Sequence, residues 1–320
     1  MIDPPAPRPA AICVRVPATS GNLGPGFDVL GLAYTLYNTF QVRTTAAGTL
    51  QIQAEGDLPT DRTNLFYRAF AALCHTHDRP VPGLDIRMDL RIPAGRGLGS
   101  SATAVVGGLQ AANALLGLGL TAAALLPHAV ALEHGRHPDN VAPALLGGLV
   151  VNTFDGPQLL NVPLPFPADI QAVVYIPDFA MDTVQGRALM PTHYTQADVV
   201  FNTSRVALLL AALSSGQYRL LGPAMEDRMH QPYRAQLFPA LPDLLAAARA
   251  AGAYGACLSG GGSTILALTA PGPPAQAVAA ALCHAAARAG LTGSAQILDI
   301  DRHGATVTDD NMEPRRHGDF

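Results

Sequence analysis

The chain has 320 residues, enough to bury a sizeable core and, by ordinary domain size, to form two domains. Its 20 basic and 24 acidic residues leave a net charge of −4, so there is no electrostatic case for nucleic acid or an anionic membrane as partner. Every basic residue is Arg, which excludes a P-loop lysine, a Schiff base and a lysine general base, and the scattered Cys13, Cys74, Cys257 and Cys283 form neither a disulfide frame nor a zinc site.

Residues 1–9 form a Pro-rich arm without the apolar run of a signal peptide, so a cytoplasmic protein is expected. Ala11 to Val16 reads as a strand and runs into Pro17-Ala-Thr-Ser-Gly-Asn22-Leu-Gly-Pro-Gly-Phe-Asp28. That stretch holds three glycines, two hydroxyls, an amide and a carboxylate, as a polar connection or a binding loop would. Strands are predicted over 29–36, 39–45 and 49–54. A helix follows over 62–77, with capping side chains in Asp61-Arg62-Thr63-Asn64.

The next strand, Leu84 to Ile92, alternates apolar and charged residues. It feeds Pro93-Ala94-Gly95-Arg96-Gly97-Leu98-Gly99-Ser100-Ser101-Ala102-Thr103, and an Ala- and Val-rich helix leaves it. Glycines at alternate positions let backbone N–H groups turn inward and approach an anion closely. The helix start adds unpaired N–H groups and a positive dipole end. Two serine hydroxyls there can bond phosphate oxygens or ligate Mg²⁺. The physical reading is a triphosphate cradle. Gly97-Leu-Gly-Ser-Ser-Ala102 also has the form of a dinucleotide fingerprint, but that needs an acid about 20 residues on, and none lies between Asp89 and Glu133. A Walker A loop requires Gly-Lys-Ser/Thr. A glycine turn that only caps the helix is the remaining alternative.

Residues 97–132 carry no formal charge, superficially like a membrane span. Asn113, the Gly117 and Gly119 turn, Thr121 as an N-cap and Pro127 divide them into two buried helices, about 100–115 and 121–134, with Gly135 ending the second. Then comes Glu133-His-Gly-Arg-His137-Pro-Asp139-Asn140-Val-Ala-Pro-Ala-Leu-Leu-Gly-Gly148. Glu133, His134, His137 and Asp139 suggest a metal cluster at first sight, but Glu133 and His134 are adjacent and point apart on a helix. Glu133 reads either as a solvated helix-end carboxylate or as a functional acid. A strand over 148–154 and a linker at Pro163, Pro165 and Pro167 close a first domain, 10–160. The second domain, 168–302, starts with the strand Ile170 to Ile176 and holds a helix over 195–213. A glycine loop between two strands, Ser259-Gly-Gly-Gly262, a helix over 274–289 and a strand over 294–300 complete it. The polar tail, 303–320, is predicted to be disordered.

The pattern Pro93-x-x-x-Gly97-Leu-Gly-Ser-Ser-Ala102 resembles the phosphate loop of the GHMP kinases. Pro17 to Asp28 resembles the first motif of homoserine kinases almost residue for residue, with Thr19 where mevalonate and diphosphocytidyl-methylerythritol kinases place Lys. Glu133 to Gly148, Thr183-Val-Gln-Gly-Arg187 and His230-Gln-Pro-Tyr-Arg234 resemble further signatures of the same family. Leu258 to Thr264 resembles the third glycine motif, with Gly261 for the usual Ala and Ser263 for the usual Pro, which predicts a looser loop.

The resemblance implies an α+β, two-domain GHMP kinase fold with a ribosomal-S5-like N-terminal unit and a ferredoxin-like C-terminal unit. It implies ATP and Mg²⁺ as cofactors and L-homoserine as substrate, phosphorylated on its hydroxyl in threonine biosynthesis by an enzyme that is often a homodimer. Residues 93–103 would bind ATP, with Asn64 on the adenine side or simply capping its helix. Ser101 and Glu133 would ligate Mg²⁺. Asn22 and Asp28 would hold the amino-acid end, with His137 and Asn140 facing the substrate. Arg187 and Arg234 would clamp the carboxylate, for which the planar guanidinium fork is suited. Asn140 stands where related kinases place an Asp. An amide cannot be a base, so Asn140 and Arg187 are expected to work by positioning, without a dedicated carboxylate base. The rival readings are a kinase for another small alcohol and a non-catalytic ATP-binding sensor.

Overall fold

Ile12, Val14 and Val16 are fully buried while Arg15 between them faces solvent, and this alternation lays one face of the first strand on a core. The structure is a computed structural model and describes residues 10–133 and 137–309. In chain order these form β1 (Ala11–Gly21), β2 (Leu30–Thr45), β3 (Leu50–Ala54), α1 (Leu65–Thr76), β4 (Gly83–Leu90), α2 (Ser100–Leu116), α3 (Ala122–Leu132), α4 (Pro138–Leu146), β5 (Leu149–Asp155) and β6 (Gln158–Leu164). The second half holds β7 (Gln171–Pro177), α5 (Thr183–Ala188), α6 (Gln196–Ser215), α7 (Leu221–Ala224), α8 (Gln231–Arg234), α9 (Leu241–Ala250), β8 (Gly255–Leu258), β9 (Ile265–Thr269), α10 (Pro273–Arg288), β10 (Gly293–Leu298) and β11 (Thr306–Asp309).

The first sheet runs β11-β1-β2-β4-β3, with β5 on the start of β2 and β6 on β5. The separate strands predicted over 29–36 and 39–45 are one strand, β2. Its pairing with β1 shifts register between Pro17 and Ala18, and Thr35 and Leu36 bulge out opposite that step. The bulge bends the strand where the sequence suggests a break, and the ladder continues through it. One half of β2 therefore pairs with β4 and the other with β5.

Two further expectations are corrected. Pro163 is not linker: it sits in β6, opposite Val150. Among the described residues β6 has no partner strand beyond β5, and an edge tolerates the missing N–H of proline. The first unit therefore extends past residue 160 to Leu164. Nor is the segment from 303 a disordered tail throughout. The Asp301 carboxylate accepts from the N–H groups of His303 and Gly304, turning the chain, and β11 then pairs antiparallel with β1. Thr306-Val-Thr-Asp309 is too short and polar to announce a strand; the edge of β1 supplies the register. Residues 310–320, like Gly135, lie outside the described residues.

Helices α1 to α4 pack on the first sheet through a core that includes Phe40, Phe66, Phe70, Val105 and Leu109. The second sheet, β10-β7-β9-β8, has alternating faces. Val173, Tyr175, Ile265 and Ala267 face α9 and α10. Ala172, Val174, Leu266 and Leu268 instead join Ala18, Leu30, Leu32 and Leu98 of the first unit in a shared central core. The two units are thus fused across apolar surface, and the loops that carry the motifs meet at its edge. Helix α6 is long and apolar enough by composition to cross a membrane. Here Leu209, Ala212 and Leu213 enter the shared core, and Asn202 bonds to Asp227.

Candidate active site

Helix α2 begins at Gly99, whose backbone is left-handed with φ +72° and which has no side chain to cap the helix. The first amides of a long helix are therefore left for a ligand, with the positive end of its dipole behind them. Two glycines are sterically required. A Cβ on Gly97 (φ +76°) would lie 2.2 Å from Ser259 O, and one on Gly99 would lie 2.1 Å from Thr19 Oγ1. The loop is clamped from the second unit. Ser259 donates to Gly97 O at 2.6 Å, the Thr264 N–H to Arg96 O at 3.0 Å, and the Met181 N–H to Gly95 O at 3.1 Å. The third glycine loop, expected to be loose, is pinned: Ser259 also bonds Ser20, and the buried Ser263 hydroxyl donates to Phe179 O at 2.6 Å.

Within 93–103 the side chains divide by role. Ser100 is half-buried and Ser101 exposed at the helix start. Leu98 and Ala102 are buried among apolar side chains, so only their backbone is available to a ligand. Thr103 is fully buried, accepting from Asn38 and donating to Ser100 O, both at 2.8 Å. Arg96 reaches away from the helix mouth, to Pro177 O at 2.9 Å and to Asp178 O. Asn64 caps α1: its carbonyl accepts from the Phe66 and Tyr67 N–H groups and its NH₂ donates to Pro59 O at 2.7 Å. Ser101 donates to Glu133 Oε1 at 3.1 Å. A hydroxyl and a carboxylate there are hard oxygen donors of the kind Mg²⁺ takes, alongside phosphate oxygens.

Facing this mouth is a charged cluster. The loop after β1 holds Asn22, Leu23 and Asp28 at positive φ (71°, 49° and 60°), strained backbone of the kind that gathers at binding sites. The Asn22 amide fixes that loop, accepting from the Asp28 N–H at 3.0 Å and donating to Gly260 O at 2.9 Å. Both its ends are engaged, so its visible work is to place Asp28. The Asp28 carboxylate accepts a bidentate pair from Arg187, at 3.0 and 2.8 Å, and lies 3.3 Å from His137 Nδ1. Burial alone would raise the Asp28 carboxyl. The hydrogen bonds from His137 and Arg187, with their charges, outweigh it and hold the group at about 2. Arg187 stands in the last turn of α5, a helix capped by the Asp182 carboxylate on the Val184 and Gln185 N–H groups.

Arg234, at 1 % exposure, is among the largest fully buried side chains among the described residues. Its Nη1 donates to Gly260 O at 3.0 Å and to His230 Nδ1 at 2.9 Å. Nε2 of His230 donates to Gly24 O at 2.7 Å, which leaves Nδ1 bare to accept from the arginine. Burial pushes the imidazole below its ordinary value, consistent with this neutral tautomer. Asp227, its side chain enclosed, caps α8 by accepting from the Met229, His230 and Gln231 N–H groups. The Phe27 ring lies against both arginines, with Arg187 Cζ 4.9 Å and Arg234 Cζ 5.6 Å from its centroid and His230 stacked on it at 5.3 Å.

Asn140, half-buried on α4, accepts at Oδ1 from the Thr19 hydroxyl at 3.0 Å. Its neighbour Asp139 is enclosed at 3 % exposure, its carboxylate pressed on Gly21 and its backbone carbonyl on Gly31. Burial first, then the nearby Asp28 charge, push its carboxyl up to about 7. The structure thus joins Asp28, His137 and Arg187 directly, sets Asn140 on Thr19 beside the glycine loop, and buries Arg234 against Gly260 and Phe27. Sequence reasoning passed over Phe27, Asp227, His230 and Ser259, and used Thr19 only as a marker of family. His230 was quoted inside a motif; nothing in sequence marks Asp227.

An uncapped glycine loop at a helix start, clamped between two units and facing a small charged cleft, defines the class: a small-molecule phosphotransferase of the GHMP type. The sequence matches the GHMP kinases N terminal domain over residues 64–148 and the GHMP kinases C terminal domain over 209–288. It is 45 % identical over 303 residues to a homoserine kinase of Trichormus variabilis, covering 93 % of this chain and 99 % of that one. It is 43 % identical to a homoserine kinase of Moorella thermoacetica, covering 92 % and 99 %. The crystal structure of homoserine kinase from Cytophaga hutchinsonii superposes with a TM-score of 0.86 at 31 % identity, covering 93 % and 98 %. The chain belongs to the homoserine kinase family of the GHMP kinases.

Proposed function

We propose that the protein transfers the γ-phosphoryl group of ATP to the side-chain hydroxyl of L-homoserine. The observation that carries this is the Asp28–Arg187 pair with Arg234 beside the same Phe27 ring, a carboxylate and two guanidiniums gathered next to a phosphate loop. That set complements a zwitterion. The substrate ammonium takes Asp28 and its carboxylate takes Arg187 and Arg234, so one internal ion pair is exchanged for intermolecular ones and no charge is left buried alone. An alcohol without both charges has nothing to give in exchange.

The amides of 95–101 and the α2 dipole hold the triphosphate. Ser101 and Glu133 would hold Mg²⁺, which when bound neutralises phosphate charge. His137 supports the orientation of Asp28, and Asn140 orients the hydroxyl in line with the γ-phosphorus. The new bond joins the homoserine oxygen to phosphorus, the bond to the β–γ bridging oxygen breaks, and ADP leaves. The Asp139 carboxylate is enclosed against Gly21, so the hydroxyl proton passes to phosphate or water rather than to Asp139. Coupled ADP release with L-homoserine, L-threonine, L-serine, mevalonate and shikimate tests the reading. Turnover confined to homoserine is expected. Turnover of another alcohol instead, or ATP binding with no turnover at all, overturns it.

A further inference from the structure

Thr19 is fully buried and touches both halves of the site. Its backbone N–H donates to Leu98 O of the phosphate loop at 3.1 Å, and its Oγ1 occupies the space over Gly99. The same hydroxyl donates to Asn140 Oδ1 at 3.0 Å. A threonine hydroxyl has one proton to give. Given to the amide carbonyl, it ties Asn140 to the flank of the phosphate loop. Nδ2 lies on the Gly21 side, packed with the Asp139 carboxylate against that glycine.

We propose that Thr19 is a positioning residue for the transfer: it sets the spacing between the phosphate loop and Asn140, and so holds the Asn140 side chain in register with the reacting hydroxyl. The inference rests on the homoserine-phosphorylating reading. Asn140 so held can orient the nucleophile. A second hydrogen-bonded residue tied to the loop is what such orientation needs, because small misplacements are costly: about 1 Å lowers a rate roughly 100-fold.

The test is steady-state kinetics of T19V, T19S, N140A and T19V/N140A, with thermal melts as a folding control. T19V keeps the shape and removes the donor. It is expected to lower kcat by about 100-fold, with KM for ATP and for homoserine moving by less than about threefold. T19S keeps the hydroxyl and is expected to recover most of kcat. The double variant should lose little beyond N140A, since both changes remove one interaction. If T19V does not fold, T19A against T19S makes the same comparison. An active wild type with kcat unchanged in T19V, with only KM raised, or with strictly additive losses overturns the proposal alone. A wild type silent on homoserine overturns the functional reading and the proposal with it.

Discussion

At the scale of single residues, Asp28 and Asp139 show how position decides a carboxyl's chemistry. Asp28 is held ionised by its partners, ready on the proposed binding mode to meet a substrate ammonium. D28N should raise KM for homoserine about 10- to 100-fold, the worth of a charge-assisted hydrogen bond, and leave KM for ATP unchanged in steady-state assays. Asp139 is held near 7, above the ordinary carboxyl at 3.8. Its folded state binds the proton more tightly than the unfolded one, so its stabilising contribution is complete below about pH 4 and is lost as pH rises to about 7. The melting temperature of D139N should gain on wild type across that window. D139N should also keep kcat within about tenfold, whereas a general base contributes roughly 10²–10⁴; a thousandfold loss would make Asp139 the base.

What each residue is was legible in the motifs, but where each side chain points was not. Asn64, Arg96 and Thr103 fall in or beside the nucleotide motifs, yet their polar atoms bond to the scaffold. Side-chain direction depends on the packing of strands distant in sequence, which a local pattern does not encode. Asn22 is the same case: its two amide bonds span from Asp28 to Gly260 of the other unit.

At the scale of elements, strand, glycine loop and helix were readable in order, because glycine spacing and a charge-free helix are local signals. Which glycine matters most was not readable, because the second unit decides it. A Cβ at Gly97 meets the backbone of Ser259, while one at Gly95 meets only Ala180 Cβ at 3.1 Å. Both have positive φ, which costs any other L-residue about 1 kcal/mol. G95A should therefore show only that modest cost. G97A must push the loop from its clamp, so a clearly lower melting temperature and a markedly higher KM for ATP are expected. Equal effects from the two variants would contradict the clamp.

At the scale of the molecule, the order of motifs announced two units but not their fusion. The strand over 171–177 is apolar on both faces, and sequence cannot say that one face meets α10 while the other meets the first unit. The return of β11 to β1 was equally hidden, since its register comes from its partner. Removal of residues 305–320 leaves the β1 edge uncovered. The melting temperature should fall by roughly a few degrees, and an unchanged melt would show that β11 contributes nothing to stability.

The proposed binding mode holds a zwitterion between Asp28 and the two arginines. The most direct measurement compares kcat/KM for L-homoserine with that for 3-amino-1-propanol, which lacks the carboxylate, and for 4-hydroxybutanoate, which lacks the ammonium. A site whose buried polar groups are left unpaired rejects such analogues by about 10⁴ or more, and a loss of that order is expected for each. If either analogue turns over within about tenfold of homoserine, the charge that it lacks is not what the site recognises, and the account fails.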